Sequence, residues 1–514
     1  MTLNKNTSEL FRLIKAMNRG EKRFFSMYSN RYENAKDKTY LQLFEAIEGQ
    51  ENYNEEALKK KFRSQAFVKQ LHVTKNYLYN LILEALVQYN NKSEKTLHGS
   101  MMEIQVLHNK GLYDVAEKLN FKVRKIAEAQ NDFLSVLETY RWEKHLVNLT
   151  RGGATNEEID KLWEEEQKVM ELYREAEECR LLAMQVHYYQ NQVRTMPKEQ
   201  LKGFHRMIET PLFKTTKRMG SAMANWQLDN SRGMYHLAIG KSKLANDFFA
   251  AAVKTMRENP AFMERNIGSA VNTMVNYTIT SYLLKNYDES LNTINEVKDI
   301  VSKNGDIDMK RRFFRQYFIA TGIYCDTGRL DEADKLVKEM QEQVDSGLIT
   351  LDVQKVIFYL NSGAVYIFRG EYKKALQYIN KVINYPGIES VNADVFYYGR
   401  LLEMICLLEM KEFDLLEYRI KSFHRYASKR NSPYMFEKEL TQFIRKTLTG
   451  NFMTRKALLE AFIELKKSID RILEDPAEAH AAQYFDFSGW LDSKVSDKPY
   501  AEVASQRAEK EVKR

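Results

Sequence analysis

The chain has 514 residues, a net charge of +8 and 44% apolar residues, which is too long for one core and too apolar for a disordered chain. Seven prolines and 21 glycines are few for this length, so little interrupts helix formation. The longest apolar run is FFAAAV at 248–253, far short of the ~20 residues that cross a bilayer. The opening MTLNKNTSELF lacks the apolar centre of a secretory signal. Cys179, Cys325 and Cys406 are sparse and odd in number, which excludes a disulfide framework and points to buried thiols in a cytoplasmic protein.

Residues 1–95 carry 17 Lys/Arg and 11 Asp/Glu, so most of the positive surplus sits in the first fifth of the chain. Five helices are expected there: SELFRLIKAM, GEKRFFSMYSNRY, DKTYLQLFEAIEGQ, YNEEALKKKF and VKQLHVTKNYLYNLILEALVQY. Their aromatics, Phe24, Phe25, Tyr28, Tyr32, Tyr77 and Tyr79, fall at helical spacing, the pattern of a packed core. The alternative is nucleic-acid contact, with EEALKKKF and the long helix after it forming a helix-turn-helix. A second helix above 20 residues and the missing Gly turn weigh against that alternative.

From residue 96 the sequence is periodic. RGEYKKALQYI at 369–379 runs a Gly turn into Tyr372, Ala375 and Ile379. Related turns recur as GLYDVA, GGATNEEI, MPKEQL, GKSKLA, NYDESL, GRLDEA, EFDLL and NFMTRKAL. Their small or aliphatic marks are Ala116, Ile159, Leu201, Ala245, Ser290, Ala333, Ala375, Leu416 and Leu458, spaced by 41 to 45 residues. Nine units of about 43 residues follow, each a pair of helices that buries its second face only against a neighbour. Where the two helices of a pair cross, Gly363 and Ala375 supply room, and Tyr366 and Ile379 fill the space beside them.

The series Gly363, Tyr366, Ala375, Ile379, Val382 resembles the tetratricopeptide (TPR) pattern of small, aromatic, small, bulky and small residues. Thr321, Tyr324, Ala333, Val337 and Met340 repeat it, and Ala245, Phe249 and Ala252 match its second helix, which Pro260 ends. The resemblance covers roughly residues 96–475, with units about nine residues longer than the usual 34. It implies an all-α fold: a right-handed α-α superhelix (a TPR-like solenoid of about nine helix pairs), preceded by a small basic helical N-terminal domain, 1–95. Residues 476–514 are then a capping segment with a mobile charged tail. AAQYFDFSGWL, with Tyr484, Phe485, Phe487 and Trp490, covers the last apolar face or serves as a partner-binding or self-inhibitory segment.

No catalytic constellation is present. The chain lacks the GxxxxGK[ST] and GxGxxG loops, the GxSxG elbow, HExxH and CxxC. GDIDMKRR offers Asp306 and Asp308 without the rest of a calcium loop. No enzyme activity, cofactor or metal is expected. In TPR-like superhelices the residue nine before the aromatic faces the concave groove. By that resemblance Arg315, Trp226, Asp229, Asn276 and Tyr398 line it, with Asn361 close by. The function expected is a scaffold or adaptor that binds a protein or peptide in the concave face. The alternative is a peptide-sensing regulator whose N-terminal domain contacts nucleic acid. The sequence specifies neither the partner nor an oligomeric state.

Overall fold

The structure is a computed structural model, and it describes residues 5–29, 39–93, 96–150, 153–190, 198–304, 307–427, 435–448, 454–474, 478 and 485–512. The expected boundaries after residues 95 and 475 lie outside these, as do Tyr32, Tyr484, Asp306 and the Asp308 side chain. The described residues form helices and no strand. No helix among them is long and apolar enough to cross a membrane. The chain divides into two units, 1–173 and 174–514.

Unit 1 begins with α1 (Lys5–Ala16), α2 (Arg19–Ser29), α3 (Thr39–Glu48), α4 (Glu55–Lys61) and α5 (Leu71–Ser93). Their apolar stripes meet in a core of their own built from Leu10, Ile14, Phe25, Phe44, Ile47 and Leu78. Phe25 tilts onto Phe44 with ring centres 4.7 Å apart and planes 40° apart. Next come α6 (Leu97–Asn109), α7 (Tyr113–Ala129), α8 (Phe133–Thr150) and α9 (Asn156–Gln190). Ile104, Ala116, Val123 and Val136 share a second core. Between α7 and α8, Asn120 donates to the Thr139 carbonyl at 2.9 Å, and Arg124 lies 3.8 Å over the Tyr140 ring.

α9 is a difference from the expected pairing. Its 35 unbroken residues stand where the second helix of one pair and the first of the next were expected, and the division between the units falls inside it. The run from Glu157 to Gln190 contains no Gly or Pro to stop it. The mark at Ile159 is accordingly not a packing position: its side chain is 52% exposed.

Unit 2 continues through α10 (Lys198–Met207), α11 (Pro211–Lys214), α12 (Ala222–Ala238), α13 (Ser242–Glu258), α14 (Pro260–Arg265), α15 (Ile267–Leu283), α16 (Tyr287–Asn304), α17 (Ile307–Asp326), α18 (Leu330–Asp345), α19 (Asp352–Phe368) and α20 (Tyr372–Ile383). It ends with α21 (Ile388–Glu409), α22 (Phe413–Ala427), α23 (Met435–Leu448), α24 (Arg455–Leu473), α25 (Phe487–Ser496) and α26 (Tyr500–Val512). α12/α13, α15/α16, α17/α18, α19/α20, α21/α22 and α23/α24 are successive packed pairs. First helices of 17, 20 and 17 residues in α15, α17 and α19 help to absorb the long repeat.

The marks Ala245, Ser290, Ala333, Ala375 and Leu416 are all fully buried where the helices of a pair cross. A Cβ on Gly363 would come within 2.7 Å of Ile379, and one on Gly233 within 2.7 Å of Phe249. The bulky residue of the second helix thus seats directly on the glycine of the first. First helices touch their successors in a continuous row, α12 to α15 to α17 to α19 to α21. Second helices reach their successors through long ionic side chains: Arg257 to Glu296 at 2.6 Å, Lys298 to Glu339 at 3.3 Å and Lys374 to Asp334 at 3.4 Å. Close contact on one side and long bridges on the other place the first helices on the inner face of the stack. Unit 2 is a TPR-like α-solenoid.

The five described hairpin turns of unit 2, within α12/α13, α15/α16, α17/α18, α19/α20 and α21/α22, close in the same way. A left-handed residue follows the first helix: Gly240, Lys285, Gly328, Gly370 and Lys411, with φ from 59° to 76°. The next N–H then bonds back to the helix, as in Glu371 to Tyr366 at 2.9 Å and Glu412 to Leu407 at 2.9 Å. This is the Schellman closure, which satisfies helix-end carbonyls. Lys285 and Lys411 hold the conformation without glycine, which is why NYDESL and EFDLL carry no Gly signal.

Left-handed backbone costs a side-chain-bearing residue about 1–2 kcal/mol, and glycine returns about 0.4–1 kcal/mol through unfolded-chain entropy. Lys411→Gly is therefore expected to stabilise unit 2 by a net of up to about 1.5 kcal/mol and so to raise its thermal midpoint. Gly370→Ala is expected to lower it by a similar amount. Shifts of the same sign for both would refute the shared turn geometry.

Candidate binding face

The inner face of unit 2 is built by positions that recur along the first helices. On α17 they are Arg315, Phe318, Ile319 and Gly322, one stripe at helical spacing. On α19 the corresponding stripe holds Ile357, Asn361 and Ala364, and on α15 it holds Asn272, Asn276 and Ile279. Asn361, Phe318, Ile319, Phe368, Tyr282 and Asp326 line one cavity of about 290 Å³. Asn276 and Asn361 are half-buried, and Arg315 and Asn272 are exposed. None of these four side chains makes a hydrogen bond or ion pair among the described residues.

The remaining expected residues are occupied or covered. Trp226 is half-buried and donates its Nε1–H to Thr273 Oγ1 at 3.0 Å, with its ring edge toward Phe262. Asp229 is buried between Arg218 at 3.6 Å and Arg232 at 3.7 Å. Burial pushes its carboxyl above the usual range against the pull of both arginines. Arg232 in turn donates to the Phe213 carbonyl at 2.7 Å, a tie between α12 and α11. Tyr398 is 1% exposed and offers no surface to a ligand. On α21 the inner positions Leu401, Leu402 and Ile405 are likewise fully buried, so the open stretch of the face runs over α15, α17 and α19.

The C-terminal hairpin lies along the rim of this stretch. Asp326, Phe368 and Glu409 each end or nearly end a first helix, at one repeat spacing from the next. Phe485 and Tyr500 both stack on Phe368, with ring centres at 4.6 Å and 3.8 Å and planes 16° and 13° apart. Glu409 accepts from Trp490 Nε1 at 3.0 Å and pairs with Lys494 at 2.6 Å. Gly328, in its left-handed turn, faces the Ala501 carbonyl where a Cβ would collide. Trp490 also meets the Phe462 ring edge-on, so α25 covers part of the last pair as well.

Beneath the hairpin, a second cavity of about 290 Å³ adjoins the first and shares Tyr282, Asp326 and Asp486 with it. Tyr287 donates to Asp326 at 3.2 Å, and Lys285 stands 3.7 Å away. Across the seam, Asp486 accepts from Tyr500 at 3.0 Å and from Arg507 at 2.7 Å, and caps α25 through the Gly489 N–H at 2.9 Å. Burial pushes the Asp326 carboxyl up, Lys285 opposes this, and the facing Asp486 adds to it. Burial also raises the Tyr500 hydroxyl and the Cys325 thiol. All three cysteines are buried and free, and the Cys179 thiol is pushed up to about 12 by burial. Among the described residues no group of three His, Cys, Asp or Glu is placed to hold a metal.

In unit 1, Phe25 and Tyr28 are core residues and Tyr77 stacks on Tyr40 at 4.7 Å. Lys75, on the helix considered for groove insertion, is 7% exposed and bonds Glu55 on α4 at 2.5 Å. That cation ties α4 to α5 and does not face outward.

Phe318, Ile319, Tyr282, Asp326 and Phe368 are not among the residues expected from the sequence to line the face. The repeat register carried a signal for Asp326 and Phe368, which both stand seven residues before their unit's small mark, Ala333 and Ala375. No family model matches the chain, and no curated protein matches it. Solved structures that it resembles include a Rap protein complexed with competence and sporulation factor, at 15% identity over 81% of this chain and 97% of that one, TM-score 0.41. The apo form of RapI aligns at 16% identity over 81% and 98%, TM-score 0.42. The apo quorum sensor NprR from B. thuringiensis aligns at 12% identity over 73% and 98%, TM-score 0.41.

An Asp with a folded-state pKa above its unfolded value of ~3.9 contributes stability that is full below that value and lost as pH rises through the folded pKa. The thermal midpoint of the wild-type chain relative to Asp326→Asn is therefore expected to fall between pH 4 and pH 8. A difference that is flat or rises with pH would contradict the assigned environment of Asp326.

Proposed function

We propose that the protein is a non-catalytic scaffold that binds a protein or peptide segment along the inner face of α15, α17 and α19. The observation that carries this is the set of unpaired side chains on neighbouring first helices: Asn276, Arg315 and Asn361, with Asn272 beside them. An Asn amide both donates and accepts, so it pairs with a backbone N–H and C=O of an extended chain. Arg315 supplies a fork for a carboxylate on the same segment. Phe318, Ile319 and Ala364 lie between these polar groups and give apolar side chains a place to bury. Polar groups held by rigid helices at a one-repeat step suit a ligand that runs across several units. The contacts of the C-terminal hairpin support the reading, because the rim of this face already accommodates polypeptide.

A photoreactive amino acid placed at Asn361 is expected to form adducts with a polypeptide in cells, and one at Lys335 on α18 is expected to form none. Asn276→Ala combined with Asn361→Ala removes two hydrogen-bonding groups worth about 0.5–1.5 kcal/mol each. Adduct formation through Arg315 should then fall about tenfold while the thermal midpoint stays within a degree or so. Equal adducts from positions 361 and 335, or none from 361, would overturn the assignment.

A further inference from the structure

The hairpin α25–α26 joins the main core through Phe487, Trp490 and Leu491 and packs on α24, whereas its seam with the ends of α15, α17 and α19 is lined by clefts. A third cavity, of about 780 Å³, runs between Tyr287, Asn292 and Thr327 on the stack and Ser505, Ala508 and Glu509 on α26. With the two cavities of about 290 Å³, three clefts open to the surface follow one seam, so this seam is less closely packed than the crossings inside the helix pairs. Its anchors are the ring slot at Phe368, the Glu409 acceptor and the glycine clearance at Gly328. Two carboxylates, Asp326 and Asp486, face each other across it. The groups around Asp326 are Tyr282 on α15, Lys285 in the turn, Tyr287 on α16, its neighbour Cys325, and Asp486, Tyr500 and Arg507 on the hairpin.

We propose that residues 485–512 are a displaceable resident of a docking edge along Asp326, Phe368 and Glu409, and that the edge's external partner is a polypeptide of the same chemistry, two aromatic rings brought together by a helical hairpin beside an acidic residue. The partner clause rests on the scaffold reading above; the resident clause does not. Phe368 selects for the rings, because flat stacking on both Phe485 and Tyr500 leaves a slot of ring width once they depart. Lys285, which lines the same cavity as Asp486 and stays with the stack, supplies charge to the acidic residue beside the rings. Departure of the hairpin also widens the cavity that Asn361 and Ile319 line together with Phe485 and Tyr500, so occupation of the edge and the room on the inner face are coupled.

Hydrogen exchange on the full chain tests the resident clause. Amides of α25 and α26 are expected to exchange through a separate opening, at least about tenfold more frequent than that of α17 and α19. Exchange of all four only in one common event would overturn it. A labelled peptide of residues 485–512 tests the partner clause on the full-length variant Phe485→Ala/Tyr500→Ala. It should bind this variant at least about tenfold more tightly than the wild type, where the resident competes, and Phe368→Ala added to the variant should abolish binding. A peptide lacking both rings should not bind. Equal affinity for wild type and variant, or binding unaffected by Phe368→Ala, would overturn the clause, as would no binding to a variant whose helical circular dichroism is intact. Failure of the Asn361 adduct test leaves the exchange result standing, so the two readings fail separately.

Discussion

Everything in unit 2 depends on how closely two antiparallel helices approach where they cross. Gly363 gives up its side chain so that Ile379 can sit on the backbone of α19, and Gly233 does the same for Phe249. Close approach removes apolar surface from water on one side of each pair, at about 25 cal/mol per Å². The other side remains apolar and has to be covered by the next pair. A single hairpin of this kind has no stable existence alone, and a row of them shares one continuous core from Val253 to Ala504.

The row has an inside and an outside because its two layers are spaced differently. First helices are in mutual contact, so their small and apolar residues set the spacing. Second helices splay apart, and Lys298, Arg257 and Lys374 bridge the gap with long flexible stems. Exposed ion pairs of this sort contribute little stability each. Their value is in register, since each spans one repeat. The inner layer keeps polar side chains that no neighbour among the described residues uses, and the function proposed for the protein comes from that asymmetry.

The C-terminal hairpin changes the meaning of the inner rim. A segment that only covered the last helix pair would need contacts with α23 and α24. α25 makes such contacts, but the stack on Phe368 and the pairing at Glu409 carry the chain backward along earlier units. The same aromatics therefore serve two ends, covering an apolar terminus and occupying a row of equivalent helix ends. Burial of Asp326 against Asp486 makes that occupation sensitive to charge, which a purely apolar cap would not be.

Helical content, the repeat of about 43 residues and the small residues at the crossings were legible in the sequence, because periodicity and steric exclusion act locally along the chain. Ala245, Ala333, Ala375 and the pair Gly363 with Ile379 needed no partner elsewhere to reveal their role. The turns at Lys285 and Lys411 were legible only through their register, since lysine carries no left-handed signal. The continuity of α9 was not legible, because the repeat register asks for a break between the marks at Ile159 and Leu201 whatever residues fill that stretch. The fate of polar side chains was also undecided: Asp229, Trp226 and Tyr398 match the groove offset as well as Asn276, Arg315 and Asn361 do. Tertiary structure separated them, because whether a polar group is free depends on which neighbours reach it, and those neighbours lie up to 47 residues away, as Thr273 does from Trp226. It alone also decided where FDFSGWL goes, since the rings fit an end face and a helix-end slot equally well, and only the stacking of successive pairs brings Phe368 to meet them.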